Sequence, residues 1–299
     1  MDYIELLKAV VIGIIEAITE WLPISSTGHM ILANEFIQLN VSLEFWEVFL
    51  VVIQLGAIFA VIVLYFNKLN PFAPSKGKTG RKRTWVLWLK VIIGSIPAAI
   101  LGILLDDWFT ENFHNAVTVA IALVFYGIAF IVVERIKGSG KQAGYQPKHS
   151  SATSKGDVVT DVDQLGFKRV LAIGLFQCLA IVPGTSRSGA TILGGRILGV
   201  SRAAAAEFSF FLAIPIMFGW SLLKIVKAFV LDDVVLTTTE WGVFGVGVVV
   251  AFGVSILAIK FLMGYIRNHS FEVFGWYRIV LGIVVLAFFA FTGQLFLVQ

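Results

Sequence analysis

The sequence predicts an all-α polytopic membrane protein built as an inverted-topology repeat, each half a re-entrant helical hairpin followed by three transmembrane helices. Three observations lead there: an apolar composition, polar segments that sort by charge, and an internal register of 160 residues. Of 299 residues, 58% are hydrophobic and only 14% charged. Soluble domains run at about 45–50% and about 25%. The mean hydropathy is +0.89. The apolar residues form continuous runs near the roughly 20 residues that cross a bilayer. Continuous rather than alternating runs argue against a β-barrel.

The runs are roughly 4–22, 45–66, 85–105, 115–133, 167–182, 203–231, 241–263 and 273–292. The first is not a secretory signal: Asp2 and Glu5 stand where a basic region belongs, and Glu16 and Glu20 interrupt it. Segment 67–84 carries Lys68, Lys76, Lys78, Arg81, Lys82 and Arg83 and no acid; segment 134–169 is also mainly basic. Segments 106–114 and 232–240 read as loops that hold acids and no Lys or Arg. The positive-inside rule places the basic segments in the cytoplasm and the acidic ones outside. In such a chain the formal charge of +4 reads as a topology signal rather than as a nucleic-acid partner.

Parity then constrains the runs. Run 45–66 enters from outside, and 85–105 and 115–133 go out and back. Run 203–231 must start on the cytoplasmic side, where 134–169 already lies, so run 167–182 enters and returns. Sliding the chain by 160 places Lys8 on Lys168, Pro23 on Pro183, Ser26 on Ser186 and Ser95 on Ser255, which gives run 4–22 the same character. One returning hairpin plus three spans is odd, so the halves insert upside down relative to each other. The chain is thus one membrane domain, 1–299: a first repeat 1–136, a polar cytoplasmic linker 137–163, and a second repeat 164–299. Eight full spans is the alternative, and it would put the acidic 232–240 segment inside.

The two hairpin tips concentrate the polar residues. Glu16 and Glu20, four apart, share a helix face, and buried carboxylates are costly unless a function retains them. Pro23 breaks that helix. Ser25, Ser26 and Thr27 supply hydroxyls, Gly28 allows close approach, and His29 is suited to proton transfer near neutral pH. The second tip, Pro183–Thr191, holds Gly184, Ser186, Arg187, Ser188 and Thr191. Freed backbone N–H groups, hydroxyls and a guanidinium suit phosphate oxygens. Arg187 pairing with Glu16 or Glu20 is the structural alternative.

Together the tips resemble the signatures of the undecaprenyl-diphosphate phosphatase family, also called the bacitracin-resistance family. Its (E/Q)xxxE motif appears as Glu16–Glu20, followed by the Pro23–His29 stretch, and its PGxSRSxxT motif appears as Pro183–Thr191. The likeness covers nearly the whole chain, including 47–57 and 199–215. The linker around 137–163 looks longer than the family needs. The resemblance implies hydrolysis of undecaprenyl diphosphate to undecaprenyl phosphate and phosphate, recycling the lipid carrier of cell-wall synthesis and giving bacitracin resistance. It also implies a site in the bacterial cytoplasmic membrane facing the periplasm or exterior, and dependence on a divalent cation.

Mg²⁺ or Ca²⁺, held by Glu16 and Glu20, would relieve repulsion between those acids and the diphosphate. Ser25, Thr27, Gly184, Ser186, Arg187, Ser188 and Thr191 would surround the phosphates. Three nucleophiles fit: Ser26, His29 or an activated water. The arrangement taken forward has Ser26 attacking, His29 as general acid/base, and Glu20 as metal ligand or base. A lipid-phosphate or anion carrier on the same fold is the other function class, but it needs no nucleophile. Small-residue stretches at 94–102 and 242–253 suit helix contacts within the protomer or in a homodimer. The lone Cys178 excludes an internal disulfide.

Overall fold

The computed structural model describes residues 2–138 and 159–293; most of the linker expected at 137–163 lies outside the described residues. The described chain is helical: α1 (Tyr3–Trp21), α2 (Ser26–Phe36), α3 (Leu43–Leu64), the single turn α4 (Phe66–Leu69), α5 (Lys78–Phe113), α6 (Ala116–Gly138), α7 (Phe167–Cys178), α8 (Arg187–Ile197), α9 (Arg202–Val226), α10 (Thr238–Asn268) and α11 (Glu272–Thr292). Six of them, α3, α5, α6, α9, α10 and α11, are long and apolar enough to cross a membrane.

Local chemistry explains most starts. Asp2, Ser42 and Ser201 accept the orphan N–H groups of Ile4, Phe45 and Ala204 at the heads of α1, α3 and α9. Thr237 and Glu240 form a capping box on α10. Two acidic segments read as loops are therefore partly helical. Glu240 closes that box, and Asp106, Asp107 and Glu111 belong to the last turns of α5. At 36 residues, α5 is about 54 Å long, so charged turns at its ends reach beyond a hydrocarbon core of about 30 Å.

The packing pairs first-half and second-half helices. α1 packs along α10 and α7 along α5, while α3 meets α9 and α6 meets α11. Glycines set the closest approaches. A Cβ on Gly127 would lie 2.7 Å from Gly275 O, and one on Gly275 2.7 Å from Gly127 O. A Cβ on Gly13 would sit 3.2 Å from Gly247 O, and one on Gly174 would run into the backbone of Gly94. Of the small-residue stretches, Gly94 and Gly247 thus serve contacts within the protomer, whereas Gly102, Gly245 and Gly253 face open space.

Several charges inside the fold are paired or meet a backbone carbonyl. The buried Glu134 carboxylate accepts from Arg196 Nε and Arg202 Nε, both at 2.7 Å, tying the end of α6 to the α8–α9 connection. Lys68 meets Glu207 at 3.0 Å. Lys90 donates to Asp163 O at 2.7 Å and so anchors the strand of chain entering α7. Gly127→Val should drive α6 from α11. Overpacking of this kind costs about 1–3 kcal/mol, so the thermal midpoint of the detergent-solubilised protein should fall by several degrees. An unchanged midpoint would mean that the two helices are not held in contact there.

Candidate active site

Two strained serines build the tips. Ser25 has φ 74° and Ser186 φ 72°, a region that side chains other than glycine rarely adopt. Each caps the helix that follows: Ser25 Oγ accepts from Gly28 N at 3.3 Å, and Ser186 Oγ from Gly189 N at 3.1 Å. The register at which the tips share backbone conformation is therefore one residue longer than the 160 that aligns Pro23 with Pro183. Ser25 matches Ser186, Ser26 matches Arg187, and Gly28 matches Gly189. At the second tip Gly184, φ 88°, is needed twice, because a Cβ there would also lie 2.6 Å from Val119 O.

The tips meet at Glu20. Ser26 Oγ donates to Glu20 Oε2 at 3.1 Å, and Arg187 Nη2 reaches Glu20 Oε1 at 3.1 Å. Arg187 also donates to Ser209 O at 2.8 Å and lies 5.9 Å from the centre of the Trp21 ring. Ser188 Oγ donates to Glu20 O at 2.9 Å, so the second tip holds the backbone of the first. Thr191 Oγ1 donates to Arg187 O at 2.9 Å and shares a 2.6 Å hydrogen bond with Ser209 Oγ.

A cleft of about 440 Å³ opens from this point between α5 and α9. Glu20, Ser26, Thr27, Gly184, Ser186 and Arg187 line its head, with Gln54 and Gln177. Its walls are apolar, among them Ala99, Leu101, Ile103, Ile216, Met217 and Trp220, and Asp106 stands towards the end of α5. Ser25, Ser188 and Thr191 lie behind the surface, occupied with the caps and tip contacts above. Glu16 is 3% exposed, its Oε1 has no partner among the described residues, and Gln54 lies beside it.

His29 faces the other way. Its Nδ1 is 2.7 Å from Ser25 O and its Nε2 2.7 Å from Tyr277 Oη, with the two rings stacked. A carbonyl only accepts, so Nδ1 carries the proton and the Nε2 lone pair takes the Tyr277 hydroxyl. His29 therefore positions Ser25, and the acceptor at the Ser26 hydroxyl is Glu20.

Sequence reasoning missed Arg278 in the second turn of α11. The residue is fully buried and donates to Pro23 O at 3.3 Å, Gly184 O at 2.8 Å and Thr185 O at 2.9 Å. It holds the broken backbone of both tips, with its guanidinium 5.7 Å from the Tyr126 ring centre. The signal was available: a lone arginine in the apolar run 273–292 meets the same criterion that singled out Glu16, Glu20 and Arg187. Among the described residues, no three His, Cys, Asp or Glu side chains form a metal-holding group.

Comparison with known proteins places this geometry in context. Residues 9–284 match the family model described as bacitracin resistance protein BacA. An undecaprenyl-diphosphatase of Lactococcus lactis subsp. cremoris is 52% identical, covering 99% of this chain and 100% of its own. One from Streptococcus thermophilus is 55% identical over 95% of this chain and 93% of its own. Undecaprenyl-diphosphatase 1 of Clostridioides difficile is 54% identical over 96% and 97%.

Arg278→Met should strand three buried carbonyls. An unsatisfied buried acceptor costs about 1–3 kcal/mol, so a clear drop in thermal midpoint is expected in detergent. A midpoint equal to wild type would show that the tips are held by other contacts.

Proposed function

The chain belongs to the bacitracin-resistance family BacA, and from that premise we propose that it hydrolyses undecaprenyl diphosphate to undecaprenyl phosphate and inorganic phosphate. The observation that carries the reading is the Ser26 hydroxyl donating to Glu20 opposite Arg187, at the head of a cleft with apolar walls. A prenyl chain suits those walls, and its diphosphate suits the head. A carrier would need the cleft but not a hydroxyl already bonded to a carboxylate, so the site favours the hydrolase.

Ser26 Oγ attacks the terminal phosphorus while Glu20 takes its proton. The bridging P–O bond breaks, undecaprenyl phosphate leaves, and the terminal phosphoryl group stays on Ser26. Glu20 gives its proton to the departing undecaprenyl phosphate oxygen; water then attacks the phosphorus, and Glu20 accepts a water proton and returns it to the Ser26 oxygen as phosphate departs. Arg187 and the N–H groups at the heads of α2 and α8 stabilise the developing charge. Arg187 releases Glu20 as it turns to the phosphate, which frees the carboxylate to act as base.

The residues also fit a divalent cation. Glu16 keeps an orphan oxygen, Gln54 lies beside it, and Glu20 is one turn away. Mg²⁺ needs only one or two carboxylates beside substrate phosphates, and Ca²⁺ also prefers oxygen ligands. Bound there, the cation would neutralise charge on the diphosphate.

The inverted repeat belongs to the same reading. It is supported by the matched strained serines and by packing in which exchange of the halves carries α1–α10 onto α7–α5. With the basic segments in the cytoplasm, the cleft runs outward to Asp106, as a periplasmic or exterior site requires. Protein of this family in a bacterial inner membrane would recycle the lipid carrier of cell-wall synthesis.

Phosphate release from farnesyl or undecaprenyl diphosphate by purified protein tests the chemistry. Ser26→Ala and Glu20→Gln should each lower kcat by about 10²–10⁴, and Arg187→Lys by about 10². His29→Ala should lose less than Ser26→Ala, because it positions Ser25. Near-normal turnover in Ser26→Ala would remove the serine as nucleophile. Chelation should stop release, and added Mg²⁺ or Ca²⁺ should restore it; release that survives chelation would remove the cation. For the topology, single cysteines placed at 38–44 and 198–202 in a Cys178→Ser background should label from opposite faces. Labelling from one face alone would overturn the inverted arrangement.

A further inference from the structure

Gln177 lines the head of the cleft and takes no part in the scheme above. It sits in the last turn of α7, 2% exposed, and neither its amide nitrogen nor its amide oxygen has a hydrogen-bond partner among the described residues. Two unpaired polar atoms in one buried side chain are costly, about 1–3 kcal/mol each. Leucine or methionine would fill the same volume without that cost. The protein keeps an amide at the head of its cleft, in the lining that includes Ser26 and Arg187.

The tip register says what the amide replaces. Counted from Ser25 and Ser186, the place of Gln177 in the second half is that of Glu16 in the first, and the place of Arg187 is that of Ser26. The two halves share a backbone and differ in charge. The first presents two carboxylates and a hydroxyl; the second presents a neutral amide and a guanidinium. A second carboxylate at 177 would repel a diphosphate and would compete for Arg187. An amide removes that charge and adds two N–H donors on the side of the site where the guanidinium already is.

We propose that the Gln177 side-chain amide donates a hydrogen bond to a non-bridging phosphate oxygen of the bound diphosphate, which makes it a substrate-contacting residue beside Arg187. The proposal rests on the diphosphatase reading. It assigns the two halves of the cleft complementary tasks, with proton transfer on the Glu20 side and phosphate holding on the Gln177–Arg187 side.

The test uses the full-length protein in detergent with farnesyl diphosphate, measuring phosphate release and thermal midpoint together. Gln177→Met should lower kcat/KM by about 10- to 100-fold, the worth of a hydrogen bond to a charged group. Its midpoint should stay level or rise, because a buried unpaired amide is gone. A structural role would instead lower midpoint and activity together, and that result, or an unchanged kcat/KM, overturns the proposal. Gln177→Glu supplies a second readout. Its activity should be depressed at pH 8 and recover relative to wild type as the pH falls, since a protonated carboxyl can donate where the amide did. If Gln177→Met does not fold, absence of that recovery overturns the proposal by itself. Wild-type protein that releases no phosphate would remove the diphosphatase reading, whereas release by wild type with unaffected variants would remove this assignment alone.

Discussion

A helix broken inside a buried core leaves carbonyl and N–H groups that no solvent reaches, and the rest of this structure depends on how those groups are satisfied. The protein breaks helices twice and brings both breaks to one point. Arg278 donates to Pro23 O on one tip and to Gly184 O and Thr185 O on the other. Ser188 donates to Glu20 O and Leu22 O across the same seam. Each tip thus supplies acceptors that the other half of the chain fills. Arg278 and Ser188 hold the backbone of the tips, while Arg187 and Ser26 line the cleft.

The paired halves explain why so polar a centre can exist in so apolar a chain. Ser25 and Ser186 take the same strained conformation and cap the same kind of short helix. Ser26 and Thr27 at the head of α2 and Arg187 at the head of α8 line the cleft, a setting that favours an anion. Divergence of side chains on this common backbone then separates the tasks. Counted from the two strained serines, Glu16 corresponds to Gln177 and Ser26 to Arg187, so two tips of matching backbone carry different charges. Glu20 links them, accepting from Ser26 and Arg187 together.

Much of this was legible in the sequence because it rests on local or compositional rules. The six spanning helices follow from apolar runs together with the parity that the charged segments impose, and the breaks at Pro23 and Pro183–Gly184 follow from backbone chemistry. Glu16, Glu20 and Arg187 stood out because charge is rare in apolar runs. Helix ends were less legible: the acidic turns of α5 read as a loop, since polarity alone does not distinguish a loop from a helix that emerges into water. The 160-residue register read from the sequence also misses the tip conformation by one residue, because the prolines align in sequence while the strained serines align in conformation.

The sequence by itself determined the membrane class, the helical content, the places where the helices break, and the set of residue types available for chemistry. These are properties of neighbours along the chain. The tertiary structure alone decided which of those residues meet. It turned His29 towards Tyr277, 248 residues away, and gave Ser26 to Glu20. It placed Ser188 and Thr191 behind the surface, and it brought Arg278 and Gln177 into a centre where the sequence reading had not placed them. The reason is physical: hydrogen-bond partners within a few ångströms are set by packing between helices far apart in the chain, and no local periodicity encodes that distance.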